Sequence, residues 1–363
     1  MARICRRCAT GAGATDAVIL TLNAGSSSLK FALFDHDRAT LRGEVEEIGG
    51  TPKLKADAGG TLPALTGSSH EDVLPALLGW LATRAEIDAV GHRIVHGGDR
   101  FSGPARLDAG AIAAVEALVP MAPLHQPHAL AAIRAVAAAR PDLPQVGCFD
   151  TAFHRTLSPV ARRIALPAFL GVRRYGFHGL SYEWIAGRLG PRSGRVIVAH
   201  LGSGASLCAM RDGVSVETTM GFSVLDGLVM GTRPGTLDPA VILYLMRARG
   251  MDPAAVEDLL YHHGGLLGVS GISADMRVLE RSRDPAAAEA RTLFAYRAAG
   301  EIGRLTVALG GLDRLVFTAG IGEHDAGARD EIAGLLDCLR PFTIEVIPAD
   351  EEAVIARQTR ATL

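Results

Sequence analysis

Apolar positions along this chain fall in short runs, and twice a run breaks at a cluster of glycine and serine and then resumes. In the first case Val18-Ile19-Leu20-Thr21-Leu22 leads into Asn23-Ala24-Gly25-Ser26-Ser27-Ser28 and restarts as Leu29-Lys30-Phe31-Ala32-Leu33-Phe34. In the second, Val196-Ile197-Val198-Ala199-His200-Leu201 turns at Gly202-Ser203-Gly204 and continues as Ala205-Ser206-Leu207-Cys208-Ala209-Met210. A β-branched run closed by small residues predicts a hairpin. Such turns let backbone N–H groups and hydroxyls approach an anion closely, so two of them half a chain apart predict a duplicated fold that grips a polyphosphate.

The rest of the pattern alternates strands with helices. After the first hairpin comes a Gly/Pro/Thr-rich variable stretch to about residue 70, then a helix near 72–84 and a strand-like run from Ala89 to Gly98. Two alanine-rich helices follow, one capped by Asp108 and one over 128–140 stopped by Pro141. Gln145-Val146-Gly147-Cys148-Phe149-Asp150 reads as a strand that delivers a carboxylate at its end, a common place for a functional acid in an α/β fold. Asp238-Pro239, Asp252-Pro253 and Asp284-Pro285 each join an N-cap to a proline in the first helical turn. The last long helix ends at Gly310-Gly311, and Leu315-Val316-Phe317-Thr318 runs into Ala319-Gly320-Ile321-Gly322-Glu323, which predicts a strand, a glycine turn and a helix in the manner of nucleotide loops. A strand over 343–347 and a helix capped by Asp350 close the chain. Together these elements predict an α/β duplication with a cleft between two lobes. The expected division is a disordered extension over 1–16, an N-terminal lobe over 17–149 with the helix 350–363 packed back on it, and a nucleotide-binding lobe over 150–349.

Composition narrows the function classes. A chain of 363 residues with 48% hydrophobic content can bury the cores of two domains. Lys plus Arg (37) nearly balance Asp plus Glu (39) without a block of like charge, which argues against a nucleic-acid partner. No apolar run reaches the ~18 residues needed to span a bilayer. Five scattered cysteines make no disulfide framework and predict a reducing, cytoplasmic setting; Cys5-Arg6-Arg7-Cys8 lacks the second pair a structural zinc site needs. Lysine occurs only at 30, 53 and 55, so Lys30 stands out as a point charge beside the first glycine/serine turn.

Phosphoryl transfer needs a phosphate cradle, a divalent metal with oxygen ligands, cations for the equatorial oxygens and a means of aligning the nucleophile. The turns at 23–28 and 202–206, with Gly320-Ile321-Gly322, are cradle candidates. Asn23, Asp150 and Glu351 are eligible magnesium ligands, directly or through water. Arg93 and Arg233 each sit in a glycine-flanked segment from which a guanidinium fork can project, and His178 is flanked by Gly176 and Gly179.

Read together, Asn23 through Lys30, Gly91-His92-Arg93 through Gly98, Phe149-Asp150-Thr151-Ala152-Phe153-His154, Tyr175-Gly176-Phe177-His178-Gly179, Met230-Gly231-Thr232-Arg233 and Thr318 through Glu323 resemble the acetate kinase family, from about Ile19 to about Arg360. The resemblance implies the duplicated ribonuclease H-like fold shared with sugar kinases, actin and chaperone ATPases, a homodimer, and reversible transfer of the γ-phosphoryl of ATP to acetate. It implies that Asn23 and Glu351 hold magnesium, with manganese as a substitute, and that Asp150 orders the metal and its waters. Arg93 and Arg233 would bind the carboxylate and the transferring phosphoryl, and His178 would contact that group. Lys30, His200, Leu201, Gly202, Ser203, Gly204, Asp275, Met276, Arg277, Gly320, Ile321, Gly322, Glu323 and His324 would surround ATP or ADP. Val95, Leu124, Phe177 and Val224 would wall the acyl pocket. A carboxylic acid of pKa near ~4 is already an anion at neutral pH, so such a reaction needs cations and alignment, not a general base.

The chain departs from the family pattern at Ser203, Leu180, Tyr182, Val224 and His324, where asparagine, threonine, histidine, proline and asparagine are usual. Between Arg340 and Thr343 family chains carry an extra loop and strand. Two variants of the reading follow: a propionate- or butyrate-preferring enzyme, and a family member of reduced activity. A kinase of alcohols using Asp150 as base, or an ATP-binding switch, would leave the paired arginines without a purpose.

Overall fold

The computed structural model describes residues 17–59 and 61–363; the Cys5/Cys8 pair and the expected extension over 1–16 lie outside the described residues. Along the chain run β1 (Val18–Ala24), β2 (Leu29–Asp35), β3 (Arg38–Glu46), β4 (Lys53–Ala56), α1 (His70–Ala82), β5 (Ala89–Ile94), β6 (Ala105–Arg106), α2 (Ala109–Glu116), α3 (Gln126–Ala139) and β7 (Gln145–Phe149). Then follow α4 (Pro159–Arg162), α5 (Gly179–Leu189), β8 (Arg195–Leu201), β9 (Ala205–Arg211), β10 (Val214–Thr218), α6 (Pro239–Ala248), α7 (Pro253–His262), α8 (Gly265–Ser270), α9 (Met276–Arg281) and α10 (Pro285–Leu309). The last elements are β11 (Arg314–Thr318), α11 (Ala319–His324), α12 (Ala326–Gly334), β12 (Thr343–Val346) and α13 (Glu351–Thr362). Two compact units result. One contains the described residues up to Phe149 together with Glu351–Leu363, and the other contains Asp150–Asp350.

The first unit is built on a sheet of order β4-β3-β2-β1-β5-β7-β6. Its β1–β2 hairpin pairs Val18 with Asp35 and Ala24 with Leu29, and β1 runs parallel to β5. Side chains alternate across the sheet, as a period of two requires. Leu20, Leu22, Phe31 and Leu33 pack with Leu74, Leu77 and Leu81 of α1 and Ala132 and Val136 of α3, whereas Ile19, Ala32 and Phe34 cluster on the other face with Ala356 of α13.

The second unit repeats the plan, with sheet order β10-β9-β8-β11-β12. In both sheets a central strand has two antiparallel strands stacked on one side and two parallel strands on the other, β3-β2-β1-β5-β7 matching β10-β9-β8-β11-β12. The fold is thus a duplicated α/β architecture. Tyr182 and Ile185 of α5 pack on Val196, Val198, Cys208 and Met210, and the long α10 lies against β8, β9 and β10. The aspartates of the three Asp-Pro pairs accept the expected N-cap bonds from Ala240, Ala255 and Ala286.

Three sequence expectations need correction. The stretch read as irregular to residue 70 contains β3 and β4. Leu41 and Val45 are the fully buried positions of β3, too sparse an apolar signal to mark a strand. The run from Ala89 to Gly98 is strand only to Ile94. Beyond it the Gln126 side chain takes over the backbone of His96, with Nε2 donating to its carbonyl at 2.8 Å, and His96 Nδ1 accepts from the Gly98 N–H at 2.9 Å. Finally, no glycine turn separates β11 from α11. The helix starts at Ala319, whose φ of +65° reverses the chain, with its N–H donating to Glu323 Oε1 at 2.8 Å.

Candidate active site

In the first unit Asn23, Arg93 and Glu351 converge. Parallel pairing of β1 with β5 matches Leu22 to His92, which sets Asn23 and Arg93 side by side at the strand ends. Glu351 arrives because α13 lies directly on β5. A Cβ at Gly91 would stand 2.2 Å from Thr359 Oγ1 and 2.6 Å from Ile355 Cγ2, so glycine there admits the helix. Arg93 Nη1 then lies 3.1 Å from Glu351 Oε2 and 3.4 Å from Asn23 Oδ1, and Asn23 Nδ2 donates to Glu351 Oε2 at 3.2 Å. With side chains 19% and 11% exposed, the Arg93–Glu351 pair is largely shielded from solvent. The adjoining turn is closed by Gly25 N–H on the Ser28 carbonyl at 2.8 Å, and His70 Nε2 lies 3.3 Å from that carbonyl. Lys30 is exposed on β2 beside a groove shared with Arg42, Glu44, Lys55, Asp57 and Glu352. Val95 is buried and Leu124 half-buried in this unit.

In the second unit Asp150 follows β7 as the first residue of a 3-10 turn and is fully buried. Its carbonyl abuts Gly179, where a Cβ would overlap it, and a Cβ at Gly176 would strike the His154 ring at 2.5 Å. Between these glycines lie Phe177, 1% exposed, and His178, whose φ of +56° is a costly conformation for a side-chain-bearing residue. His154 helps hold it, with Nε2 2.9 Å from the Phe177 carbonyl and Nδ1 2.9 Å from Ser215 Oγ. Burial pushes the His154 pKa down to about 4, so it is neutral and Nε2 is the donor to the carbonyl.

Arg233 meets His178 across Gly204. A Cβ at 204 would lie 2.7 Å from Arg233 Nη2 and 3.5 Å from His178 Nε2. The loop carrying Arg233 is tied to the second hairpin turn by Gly231 N–H on the Ser203 carbonyl at 3.0 Å, and Arg233 Nη1 donates to the Val224 carbonyl at 2.7 Å. Burial lowers the Arg233 pKa to about 10. It remains a cation at neutral pH, yet poorly solvated, which favours an anionic ligand. His200 stacks on His178 with centroids 4.2 Å apart and its Nδ1 lies 2.9 Å from Ser181 Oγ.

The remaining nucleotide candidates are also in this unit. Leu201 and Met276 are buried in the core, leaving their backbone as what they can offer. Asp275 caps α9 and pairs with Arg277, 2.6 Å away on the surface. Gly320, Ile321, Gly322 and His324 lie in α11 itself. Glu323 has structural work: Oε1 accepts from the N–H groups of Ala319 and Ala349, clamping the start of α11 to the segment after β12. Ser206, expected from sequence only as part of the turn at 202–206, has a contact of its own with His178. It joins His178 Nδ1, 2.8 Å away, to the Tyr182 hydroxyl, 2.5 Å away; inward-facing hydroxyls beside a candidate histidine were the available signal.

The Acetokinase family profile matches residues 18–346. An acetate kinase from Rhodopseudomonas palustris is 52% identical over 340 residues, covering 87% of this chain and 85% of its own. Another from strain TIE-1 of that species is 48% identical over 387 residues, covering 94% and 97%. Those 387 aligned positions exceed the 363 residues here, so that relative carries residues with no counterpart in this chain. Among solved structures, a propionate kinase from Francisella tularensis is similar with a TM-score of 0.90 at 34% identity, over 96% of this chain and 100% of that one.

Proposed function

Because the chain belongs to the acetokinase family, we propose that it transfers the γ-phosphoryl group of ATP to acetate, reversibly and in line, giving acetyl phosphate and ADP. The observation that carries this reading is Arg233: a guanidinium whose pKa burial lowers, held with His178 Nε2 around Gly204, where an added Cβ would crowd it. In this reading Arg233 and Arg93 bind the carboxylate and the transferring phosphoryl, His178 donates to that group, and alignment with charge neutralisation lowers the barrier.

Magnesium fits the residues present. Asn23 Oδ1 and the Glu351 carboxylate are hard oxygen donors in one partly buried cluster, and magnesium takes few protein ligands while keeping water and phosphate oxygens. When bound it would neutralise charge on the phosphates. Asp150 would orient its waters, and Arg93, which holds Glu351 by an ion pair, would keep that carboxylate in place. The turns at 23–28 and 202–206 and the start of α11 would receive the polyphosphate and nucleotide through backbone N–H groups. Val95, Leu124, Phe177 and Val224 would contact the acyl group. A homodimer and a cytoplasmic location complete the proposal; no helix among the described residues is long and apolar enough to cross a membrane.

Incubation with ATP, magnesium, acetate and hydroxylamine tests it. Acetyl hydroxamate should form, and Arg93→Ala or Arg233→Ala should abolish it while ATP binding persists. Failure of the unmodified protein to form hydroxamate would reject the activity.

A second acceptor, propionate, is favoured by the likeness to the propionate kinase, and Val224, at an acyl-pocket position, would alter the chain-length preference. One methylene in an apolar pocket is worth roughly 1–3 kcal/mol. Val224→Pro should therefore shift the kcat/KM ratio for propionate over acetate; an unchanged ratio removes Val224 as a determinant.

A further inference from the structure

Tyr182, Ser206 and His178 form a chain of hydrogen-bonding side chains within the second unit. Tyr182 lies one turn along α5 from His178, its N–H donating to the His178 carbonyl at 3.1 Å, and both Tyr182 and Ser206 are fully buried. Ser206 Oγ stands 2.5 Å from the Tyr182 hydroxyl and 2.8 Å from His178 Nδ1.

Ser206 has a single hydroxyl proton, so it can donate to only one of these neighbours. If it donated to Tyr182, the phenol hydrogen would point into a dry interior, because Ser206 is its hydrogen-bonding partner among the described residues. Leaving a buried donor unsatisfied costs ~1–3 kcal/mol. If instead Tyr182 donates to Ser206 and Ser206 donates to Nδ1, every proton in the chain is used. Burial also raises the Tyr182 pKa well above its ordinary value, so the phenol keeps its proton.

We propose that Tyr182, acting through Ser206, is a positioning residue that holds His178 as a neutral imidazole with its proton on Nε2, the nitrogen facing Gly204 and Arg233. The inference rests on the phosphotransferase reading for its purpose. There, an Nε2–H donor contributes a directed hydrogen bond to a phosphoryl oxygen without setting a second full positive charge beside the poorly solvated guanidinium. Close packing at Gly176 and Gly179 and the His154 bond to the Phe177 carbonyl set the backbone that carries His178, and its ring stacks on His200.

The test is a long-range 15N–1H correlation spectrum of histidine-labelled full-length protein, alongside kinetics. Wild type at pH 8 should show His178 Nδ1 as an unprotonated nitrogen and Nε2 as a protonated one. Tyr182→Phe keeps the ring but frees Ser206 to accept, so Nδ1 should become partly protonated. In that variant kcat should fall about threefold to tenfold while KM for ATP and for acetate stays within twofold. Ser206→Ala should likewise release the tautomer, which covers the case of a poorly folded phenylalanine variant. A protonated Nδ1 in wild type, or a tautomer unaltered in both variants, overturns the proposal. Absence of acetyl hydroxamate in wild type would reject the activity instead, with the spectrum still deciding the tautomer.

Discussion

Gly204→Ala isolates alignment from stability. The added Cβ would stand 2.7 Å from Arg233 Nη2, and ordinary van der Waals contact begins at 3.4 Å, so the guanidinium must retreat by about 0.7 Å. The obstructing atom is the end of a flexible side chain, and Gly204 itself has no left-handed φ, so folding should cost little, about 1 kcal/mol or less. Retreat is not free, however, because Nη1 is tethered to the Val224 carbonyl at 2.7 Å. The guanidinium must break that bond or tilt away from the position it shares with His178 Nε2. Misplacement of a positioning group by about 1 Å costs on the order of a hundredfold in rate. We therefore expect kcat/KM for acetate to fall between about tenfold and a hundredfold in a coupled ADP-release assay, with a thermal midpoint within a few degrees of wild type. Gly187→Ala, whose Cβ meets nothing within 4 Å, is the control and should retain full activity. Wild-type kcat/KM in a folded Gly204→Ala protein would refute the assignment of Arg233 and His178 to the reacting group.

Two further outcomes follow from the structure. Glu351→Gln removes a charged oxygen donor beside Asn23 and breaks the shielded pair with Arg93, so the magnesium concentration giving half-maximal activity should rise on the order of tenfold or more; an unchanged magnesium titration would remove Glu351 from the metal site. His92 and His154 are held down to about 4 by burial, against about 6.5 in the unfolded chain. The unfolded state therefore binds protons first as pH falls. Their contribution is fully present above pH 6.5 and is lost between there and pH 4, about 2 kcal/mol per histidine by pH 5. Urea midpoints at pH 7.5 and pH 5 read this, and the drop should be smaller in His92→Gln; equal drops in both proteins would contradict it.

Much of the fold was legible from local pattern. The two hairpins declared themselves because each strand pairs with its immediate successor, and the aspartates at 108, 238, 252 and 284 cap helices where an N-cap is decided by one side chain and a nearby N–H. By contrast β3 and β4 carry mostly solvated side chains, so nothing in their composition distinguishes them from loop. The supposed glycine turn at 319–322 misled because the reversal falls on Ala319, outside the residue type that usually signals it.

At the candidate site, residue types could be read from sequence, and their partners could not. The sequence by itself determined which side chains were available: an asparagine near the end of a strand, arginines among glycines, a histidine between glycines, and acids opening the last helix. Only the tertiary structure decided that Glu351 reaches Asn23 from 328 positions away, that Gly91 opens room for the helix carrying it, and that Ser206 has one proton to share between Tyr182 and His178. The reason is physical: caps and hairpins are set by interactions a few residues apart, whereas desolvation, proton allocation and ion pairing depend on which distant surfaces are packed against one another.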